Sequence, residues 1–206
     1  MMHTFLFIFV SVAFIASVEL VKRKSRLSSD VTRRVTHIGA ALIAALAPLF
    51  IGQQAIIIAC LFFAGALLLA RRSAVFSSIH DVKRTTFGDV YLPLGEAISA
   101  VIFLPHAVLA FQFGALVMGI SDAVAGLVGE RFGRHHVTFF SNTKSLEASL
   151  AFFASTLILV LLFVPAFSYQ IILIATILTL VEFVLIYGLD NLVLPIIGSI
   201  LIQMIL

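Results

Sequence analysis

Long apolar runs, separated by short polar stretches, follow one another along this chain. Because a helix needs about 20 apolar residues to cross a bilayer, such runs predict membrane-spanning helices. The fourth and the last runs are short for a span, so seven spans is the alternative count to eight. The expected fold class is an all-α, polytopic membrane helical bundle. We place its spans at residues 4–20, 35–51, 54–70, 89–105, 108–129, 146–164, 169–187 and 189–206.

Basic residues are confined to one side of this predicted bundle. All 13 Lys and Arg fall in three clusters, at residues 22–34, 71–84 and 131–144, and the apolar runs between them contain none. Since Lys- and Arg-rich loops stay on the cytoplasmic side, we expect these clusters inside and the N-terminus outside. The positive charges follow the first apolar stretch, which predicts a retained helix rather than a signal peptide. With no transit-peptide pattern, a prokaryotic plasma membrane is the expected location.

Composition supports the same class and excludes a soluble domain, because 62% of the residues are hydrophobic and 11% are charged. The net charge of +3 comes from loops that face anionic lipid, so no nucleic-acid partner is expected. Cys60 is the one cysteine, which excludes an internal disulfide and a cysteine-based metal cluster. Membrane lipids are expected partners, and an oligomer is left open.

Acidic residues in or near the apolar runs are the first candidates for chemistry. An ionised carboxylate is costly within a bilayer, so each predicts a functional site. Glu96 is equally consistent with a structural hydrogen bond. Asp190 and Asn191 lie at the last turn on the basic side. The alternative to a functional site is that they form a simple turn and helix cap. The acids within hydrocarbon depth or at its edge are Glu96, Asp122, Glu147 and Glu182.

Residues 119–149 hold the densest group of candidates. On a helix, Asp122, Gly126, Gly129 and Gly133 lie within about 40° of one line, so a carboxylate is followed by a bare groove. Glycine lets a ligand's phosphates approach closely, although tight packing against another helix is the alternative. Polar residues at the cytoplasmic end of this groove favour a site: Glu130, Arg131, Arg134, His135 and His136.

The chain then re-enters the membrane around Lys144, Ser145 and Glu147. A helix N-terminus capped by Asn142 or Thr143 would attract anions, and Lys144 adds a positive charge suited to polyphosphate. The alternative makes Lys144 a membrane anchor and Ser145 a cap. Glu147 favours a site, because a carboxylate is a poor anchor. It would pair with Lys144 or Arg131, or help to bind a metal.

A third group, Arg33, Arg34 and His37, stands at the mouth of the second span. The spacings of three and four residues place at least one arginine on the helical face of the imidazole. Alanines continue that face and leave it narrow. Together these side chains would clamp a phosphate through bidentate guanidinium hydrogen bonds, whereas an arginine pair alone is more often a membrane anchor.

These groups share one depth in the membrane. Asp122 lies about 10 Å from the cytoplasmic end of its helix, and Glu147, Glu182 and Asp190 approach from the same leaflet. Carboxylates are the ligands that Mg²⁺ prefers, and the basic groups suit phosphate oxygens. The pattern predicts a metal-bound polyphosphate, with a co-substrate that arrives from the lipid.

Five segments, read in order, resemble motifs of the CTP-dependent polyprenol kinase family. They are residues 33–40, 84–95, 121–133, 143–153 and 188–195. That family includes dolichol, phytol and CTP-dependent diacylglycerol kinases, and it is distantly similar to phosphatidate cytidylyltransferase. The resemblance implies an integral membrane enzyme that moves the terminal phosphate of CTP to a lipid hydroxyl. It also implies one membrane domain, residues 1–206, in which residues 1–30 are a peripheral helix and basic loop and residues 31–206 a kinase-like core.

The resemblance carries over to individual residues. It matches Asp122 and the three glycines to the nucleotide-binding segment, Lys144, Ser145 and Glu147 to a lysine-serine-glutamate stretch, and Arg33, Arg34 and His37 to a basic and histidine motif. Ala148 stands where glycine is usual, which would narrow the nucleotide pocket. Arg34 stands where lysine is common, which keeps the charge.

The expected activity is therefore a CTP-dependent kinase for an isoprenoid alcohol. We assign Asp122, Lys144, Glu147 and His37 to catalysis, with His37 or a carboxylate activating the hydroxyl. The metal candidates are Asp122, Glu147, Glu182 and Asp190. A diacylglycerol kinase, a cytidylyltransferase and a cation- or proton-coupled transporter are the alternatives. The nucleotide-binding candidates are Arg33, Arg34, Gly126, Gly129, Arg131, Gly133, Arg134, Lys144, Ser145 and Asn191.

Overall fold

The structure is a computed structural model, and it describes residues 2–25, 28–71, 87–139, 142–164 and 168–206. Most of the second basic cluster, the first three residues of the 84–95 segment and most of the turn at 165–168 lie outside these ranges. The helices are α1 (Met2–Lys24), α2 (Ser29–Leu46), α3 (Gln53–Ala70), α4 (Gly88–Phe103), α5 (Val108–Leu116), α6 (Asp122–Phe132), α7 (Leu146–Phe163), α8 (Tyr169–Val184) and α9 (Asp190–Gln203).

The prediction of an all-α membrane bundle is confirmed. Each predicted span overlaps one helix, when α5, α6 and the turn between them are counted as one rod. Among the described residues, four stretches are long and apolar enough to cross a membrane: Thr4–Lys24, Gln53–Ala70, Val108–Phe132 and Leu146–Phe163. The apolar helices α8 and α9 are shorter. The protein is therefore a multi-pass membrane protein.

The charged helix ends meet on one side of the bundle, which we call the basic face. It contains the ends of α1, α3 and α6 and the starts of α2, α4 and α7. Two ion pairs join neighbouring helices there. Arg34 of α2 contacts Glu130 of α6, and Arg71, just after α3, contacts Asp89 of α4. The basic residues that the structure describes thus lie on one side, which agrees with the clustering along the chain.

A short hairpin at the basic face is the only β-structure in the described part of the chain. Strand β1 (His136–Phe139) pairs with β2 (Asn142–Ser145) in antiparallel register, with Val137 opposite Lys144. We had expected only a loop here. The pairing fixes the direction in which β2 enters α7, and so it fixes where Lys144 points.

A π-helical segment, Val117–Ser121, joins α5 to α6. Its residues are buried apart from Ile120, and it ends immediately before Asp122. A π turn changes the helical phase, and such turns are frequent at functional sites. The segment therefore sets the direction in which the Asp122 carboxylate leaves the rod.

Small residues let α4, α5 and α9 pack closely in the interior. A Cβ on Gly114 of α5 would strike the carbonyl of Pro195 in α9, and one on Gly95 of α4 would lie 2.8 Å from the carbonyl of Leu192. The hydroxyls of Ser99 and Ser199 join α4 to α9 at 3.0 Å. This contact mode, in which small and polar residues replace bulky ones, is typical of membrane helices.

Gly114→Ala tests this packing. The added methyl has no space against the α9 backbone, so we expect a loss of about 1 to 3 kcal/mol from overpacking, measured as a lower unfolding temperature in detergent. Gly65→Ala is the control, since a Cβ there meets nothing within 4 Å. Equal unfolding temperatures for the two variants would contradict the close contact between α5 and α9.

Candidate functional site

Three carboxylates from three helices converge near the basic face. Asp122 begins α6, Glu182 lies near the end of α8, and Asp190 begins α9. One oxygen from each lies within 4.8 Å of the others. Glu182 is buried, and the other two are partly buried. The structure thus brings together three of the four residues that we predicted as metal ligands.

The turn between α8 and α9 positions Asp190. Tyr187 and Gly188 both have positive φ, 58° and 82°, so the chain reverses in two left-handed residues. For tyrosine this conformation is strained, and such strain persists only where surrounding contacts hold it. The backbone N–H of Phe87 donates a hydrogen bond to the carbonyl of Tyr187, and this is one such contact.

Asn191 holds the start of α9 against α4. Its side-chain amide donates to the carbonyl of Gly88 at 2.7 Å, and its backbone N–H donates to Asp190 Oδ1 at 3.0 Å. The side chain is buried. Its observed contacts are therefore structural, and the nucleotide contact that the sequence suggested stays a prediction.

Lys144 reaches the carboxylates from the hairpin. Its ammonium donates to Glu182 Oε1 at 2.5 Å and to the backbone carbonyl of Glu182. Both side chains are largely buried, with 16% and 8% of their surface exposed. Three carboxylates beside one ammonium leave an excess of negative charge when all are ionised, and a divalent cation would offset it.

Glu147 does not join this group. It accepts hydrogen bonds from the backbone N–H of His135 at 3.2 Å and pairs with His135 Nδ1 at 2.6 Å. The pairing with Lys144 or Arg131 that we expected is absent among the described residues. Glu147 instead fixes the start of the hairpin to the first turn of α7, and its metal role stays a prediction.

The N-terminus of α7 is capped by Ser145, not by Asn142 or Thr143. The hydroxyl of Ser145 accepts from the backbone N–H of Ala148 at 3.1 Å. Thr143 belongs to β2, whose pairing delays the start of the helix to Leu146. The cap is buried, so this helix end faces the interior of the basic face.

The glycine stripe of α6 is filled by neighbouring protein groups. The guanidinium of Arg34 occupies the place of a Cβ on Gly126. A Cβ on Gly129 would lie 3.0 Å from the methyl of Ala148, and one on Gly133 would lie 2.9 Å from Ser145 Oγ. The bare face therefore lets α2 and the start of α7 approach α6, and Ala148 contacts this face from α7.

Arg33, Arg34 and His37 lie at the first turns of α2. The Nη2 of Arg33 is 3.8 Å from Asp30, whereas Arg34 contacts Glu130. The Nε atoms of both arginines are buried without a hydrogen-bond partner in the described ranges, so each retains a donor. His37 is buried and close enough to Asp122 to interact electrostatically.

The remaining basic candidates lie on the surface. Arg131, Arg134, His135 and His136 are exposed, and Arg131 stacks on Phe132 at 5.6 Å. Glu96 lies elsewhere, deep in α4. It is buried, and neither carboxylate oxygen has a hydrogen-bond partner among the residues that the structure describes. The structural hydrogen bond that we considered for Glu96 is therefore not observed there.

Asp89 is a residue that our sequence reasoning missed. Its carboxylate pairs with Arg71 at 2.6 Å, and the arginine lies over the Phe87 ring at 4.3 Å. Asp89 is also close enough to His37 to interact electrostatically. The signal was present, because Asp89 lies within the 84–95 segment and Arg71 ends an apolar run.

The sequence of this chain is similar to that of a phytol kinase from Synechocystis sp. (strain ATCC 27184 / PCC 6803 / Kazusa). The two are 32% identical over 204 residues, which covers 92% of this chain and 85% of the relative. The chain belongs to the polyprenol and phytol kinase family. This membership confirms the resemblance seen in the five segments and makes the protein a kinase. No family model and no solved structure matches the chain.

Lys144→Met tests the buried ion pair. It leaves Glu182 beside two other acids without its cation, so we expect a loss of about 3 to 5 kcal/mol, seen as a lower unfolding temperature in detergent. Adding Glu182→Leu should recover most of that loss. Asp30→Asn is the control, because Asp30 is half exposed and 3.8 Å from Arg33, and such a pair contributes about 0 to 1 kcal/mol. An unchanged unfolding temperature for Lys144→Met would show that the pair does not form.

Proposed function

We propose that the protein transfers the terminal phosphate of CTP to the hydroxyl of an isoprenoid alcohol at the membrane surface. The observation that carries the proposal is the convergence of Asp122, Glu182, Asp190 and Lys144 in a chain similar to a phytol kinase. The choice of CTP rests on the family resemblance of the motifs. The three basic clusters favour a cytoplasmic site, with the N-terminus outside.

The carboxylate group fits a divalent cation. Its oxygens come from three elements, lie within 4.8 Å of one another and exceed the one nearby ammonium in charge. Asp122, Glu182 and Asp190 would hold Mg²⁺, which prefers oxygen ligands and retains several waters. When bound, the ion would neutralise negative charge on the triphosphate. Phosphoryl transfer depends mainly on such charge neutralisation and on alignment.

Basic side chains around this group suit the phosphate oxygens. Lys144 contacts Glu182 directly, and the buried Nε atoms of Arg33 and Arg34 retain hydrogen-bonding capacity in the described structure. Arg131 and Arg134 are exposed nearby on the same face. These groups would align the chain of phosphates between the hairpin and α2, with the base of the nucleotide on the water side.

We assign the acceptor proton to His37. This residue is buried in α2 and is close enough to both Asp122 and Asp89 to interact with them electrostatically. As the new bond forms between the alcohol oxygen and the γ-phosphorus, the bond from that phosphorus to the β-phosphate oxygen breaks. The hydroxyl proton passes to the imidazole, and CDP leaves with the charge of the broken bond.

Labelled nucleotide distinguishes this activity from its rivals. Purified protein in detergent, with Mg²⁺ and γ-labelled CTP, should label phytol, geranylgeraniol or a longer polyprenol, and α-labelled CTP should label none of them. Asp122→Asn should reduce the rate at least about 100-fold through lost charge alignment, whereas exposed His106→Gln on the opposite face should not.

Each alternative activity predicts a different labelling result. Label in diacylglycerol alone would indicate the other lipid kinase, and α-label in lipid would indicate a cytidylyltransferase. Label in no lipid, with folded protein and Mg²⁺ present, would contradict the proposal, and γ-labelled ATP in a parallel reaction tests the nucleotide.

The proposed metal site is tested by Mn²⁺ binding, followed through the paramagnetic signal of the free ion. We expect wild-type protein to bind one ion with nucleotide present, and Asp122→Asn and Asp190→Asn each to weaken the affinity about 10-fold or more. Glu147→Gln tests whether Glu147 belongs to the ligand set with the three other acids, because Glu147 contacts His135 in the structure. If the Asp190→Asn affinity equalled that of wild type, the three carboxylates would not be the ligands.

A further inference from the structure

A groove between the first four helices lies beside the proposed phosphate site. Residues of α1, α2, α3 and α4 line it, and its enclosed volume is about 100 Å³. An apolar cavity of about 150 Å³ holds a molecule the size of benzene, so a space of this order holds a segment of hydrocarbon. Most of the lining is apolar, including Phe7, Phe14, Ile43, Phe63 and Leu67. The groove is suited to part of a lipid molecule.

One end of the groove reaches the candidate reaction centre. His37 and Asp89 line that end, close to the starts of α2 and α4 at the basic face. The same imidazole interacts electrostatically with Asp122 of the carboxylate group. A hydroxyl at His37 would therefore lie beside the phosphate site, while the rest of the molecule pointed into the groove.

The groove then runs along the helices toward the opposite face. It follows α2 from His37 to Ala44 and α4 from Asp89 to Glu96, a length of about 10 Å by helix rise. A hydrocarbon chain in it would replace lipid contacts with protein contacts of similar polarity. This direction matches that of an alcohol whose hydroxyl lies at the membrane surface.

Helix α1 separates the groove from the surrounding lipid. Phe7 and Phe14 line the inner side, whereas Phe5 and Phe9 are exposed on the outer side. The helix packs chiefly on α2, where the Phe14 ring occupies the place of a Cβ on Gly39. The segment expected to be peripheral thus forms a wall of the groove, with one main packing partner.

Glu96 lies at the deep end of the groove, and both of its carboxylate oxygens are buried without a partner within the described ranges. These oxygens are closed off from the groove, whose surface is almost entirely apolar. The deep end is therefore as well suited to hydrocarbon as the rest of the groove.

We infer that this groove binds the hydrocarbon chain of the lipid alcohol, with the hydroxyl at His37. The inference rests on the proposed function for the identity of the alcohol. It assigns α1 the role of the wall beside which the lipid enters from the bilayer.

Two isomeric side chains provide the first test. Ile43 lines the groove, whereas neighbouring Leu42 is 42% exposed on the outside of α2. Ile43→Phe should raise the KM for geranylgeraniol about 10-fold or more, and Leu42→Phe should not. The KM for CTP, and that for a five-carbon prenol too short to reach Ile43, should stay unchanged in both. An unchanged geranylgeraniol KM in folded, active Ile43→Phe protein would overturn the groove.

Cross-linking gives a measurement that needs neither turnover nor a folded variant. Wild-type protein in detergent is illuminated with a farnesol analogue that carries a diazirine near its terminal carbon, and labelled peptides are identified by mass spectrometry. We expect label in α1 and α3, around Phe7 and Phe63, that excess phytol removes. Label elsewhere, or label that phytol does not displace, would overturn the inference. If competed label appeared in the groove while no alcohol was phosphorylated, the groove would stand and the proposed function would fail.

Discussion

Charge balance within the bundle constrains much of this structure. Asp122, Glu182 and Asp190 meet among helices that are otherwise apolar, and unpaired carboxylates there are costly. Lys144 offsets part of that charge through Glu182. Three local features make this meeting geometrically feasible: the hairpin that directs Lys144, the π segment that ends at Asp122 and the left-handed turn that precedes Asp190. Each is irregular, and each occurs beside one member of the cluster.

Packing and chemistry are not separate explanations for the glycines of α6. The bare face allows Arg34 and the capped start of α7 to lie close to that helix. Arg34 is one of the groups that we propose for the phosphate oxygens. Close helix packing, which would explain the glycines on its own, is therefore also the means by which Arg34 reaches α6. The small residues between α5 and α9 have the simpler structural role.

The sequence predicted the helices well because hydropathy is a local property that each run carries by itself. It also identified Asp122 and Glu182, since a charge in an apolar run is conspicuous, and Lys144 and Asp190 in the loop and turn beside the spans. Contact partners were harder to predict, because they depend on register between distant segments: Glu147 pairs with His135, and Asn191 binds Gly88. The hairpin had a weak signal in the β-branched residues of 136–139. The π segment had none, because its sequence, Val-Met-Gly-Ile-Ser, does not distinguish a π turn from an apolar α-helix.

The π segment has a consequence for how related chains are compared. A wider turn accommodates a residue that a regular helix of the same length would lack, and each residue corresponds to about 100° of rotation. Deletion of one residue between Val117 and Ser121 would therefore rotate Asp122 away from the other acids. Two chains that align well by hydropathy on both sides of this point would then differ in the direction of this carboxylate.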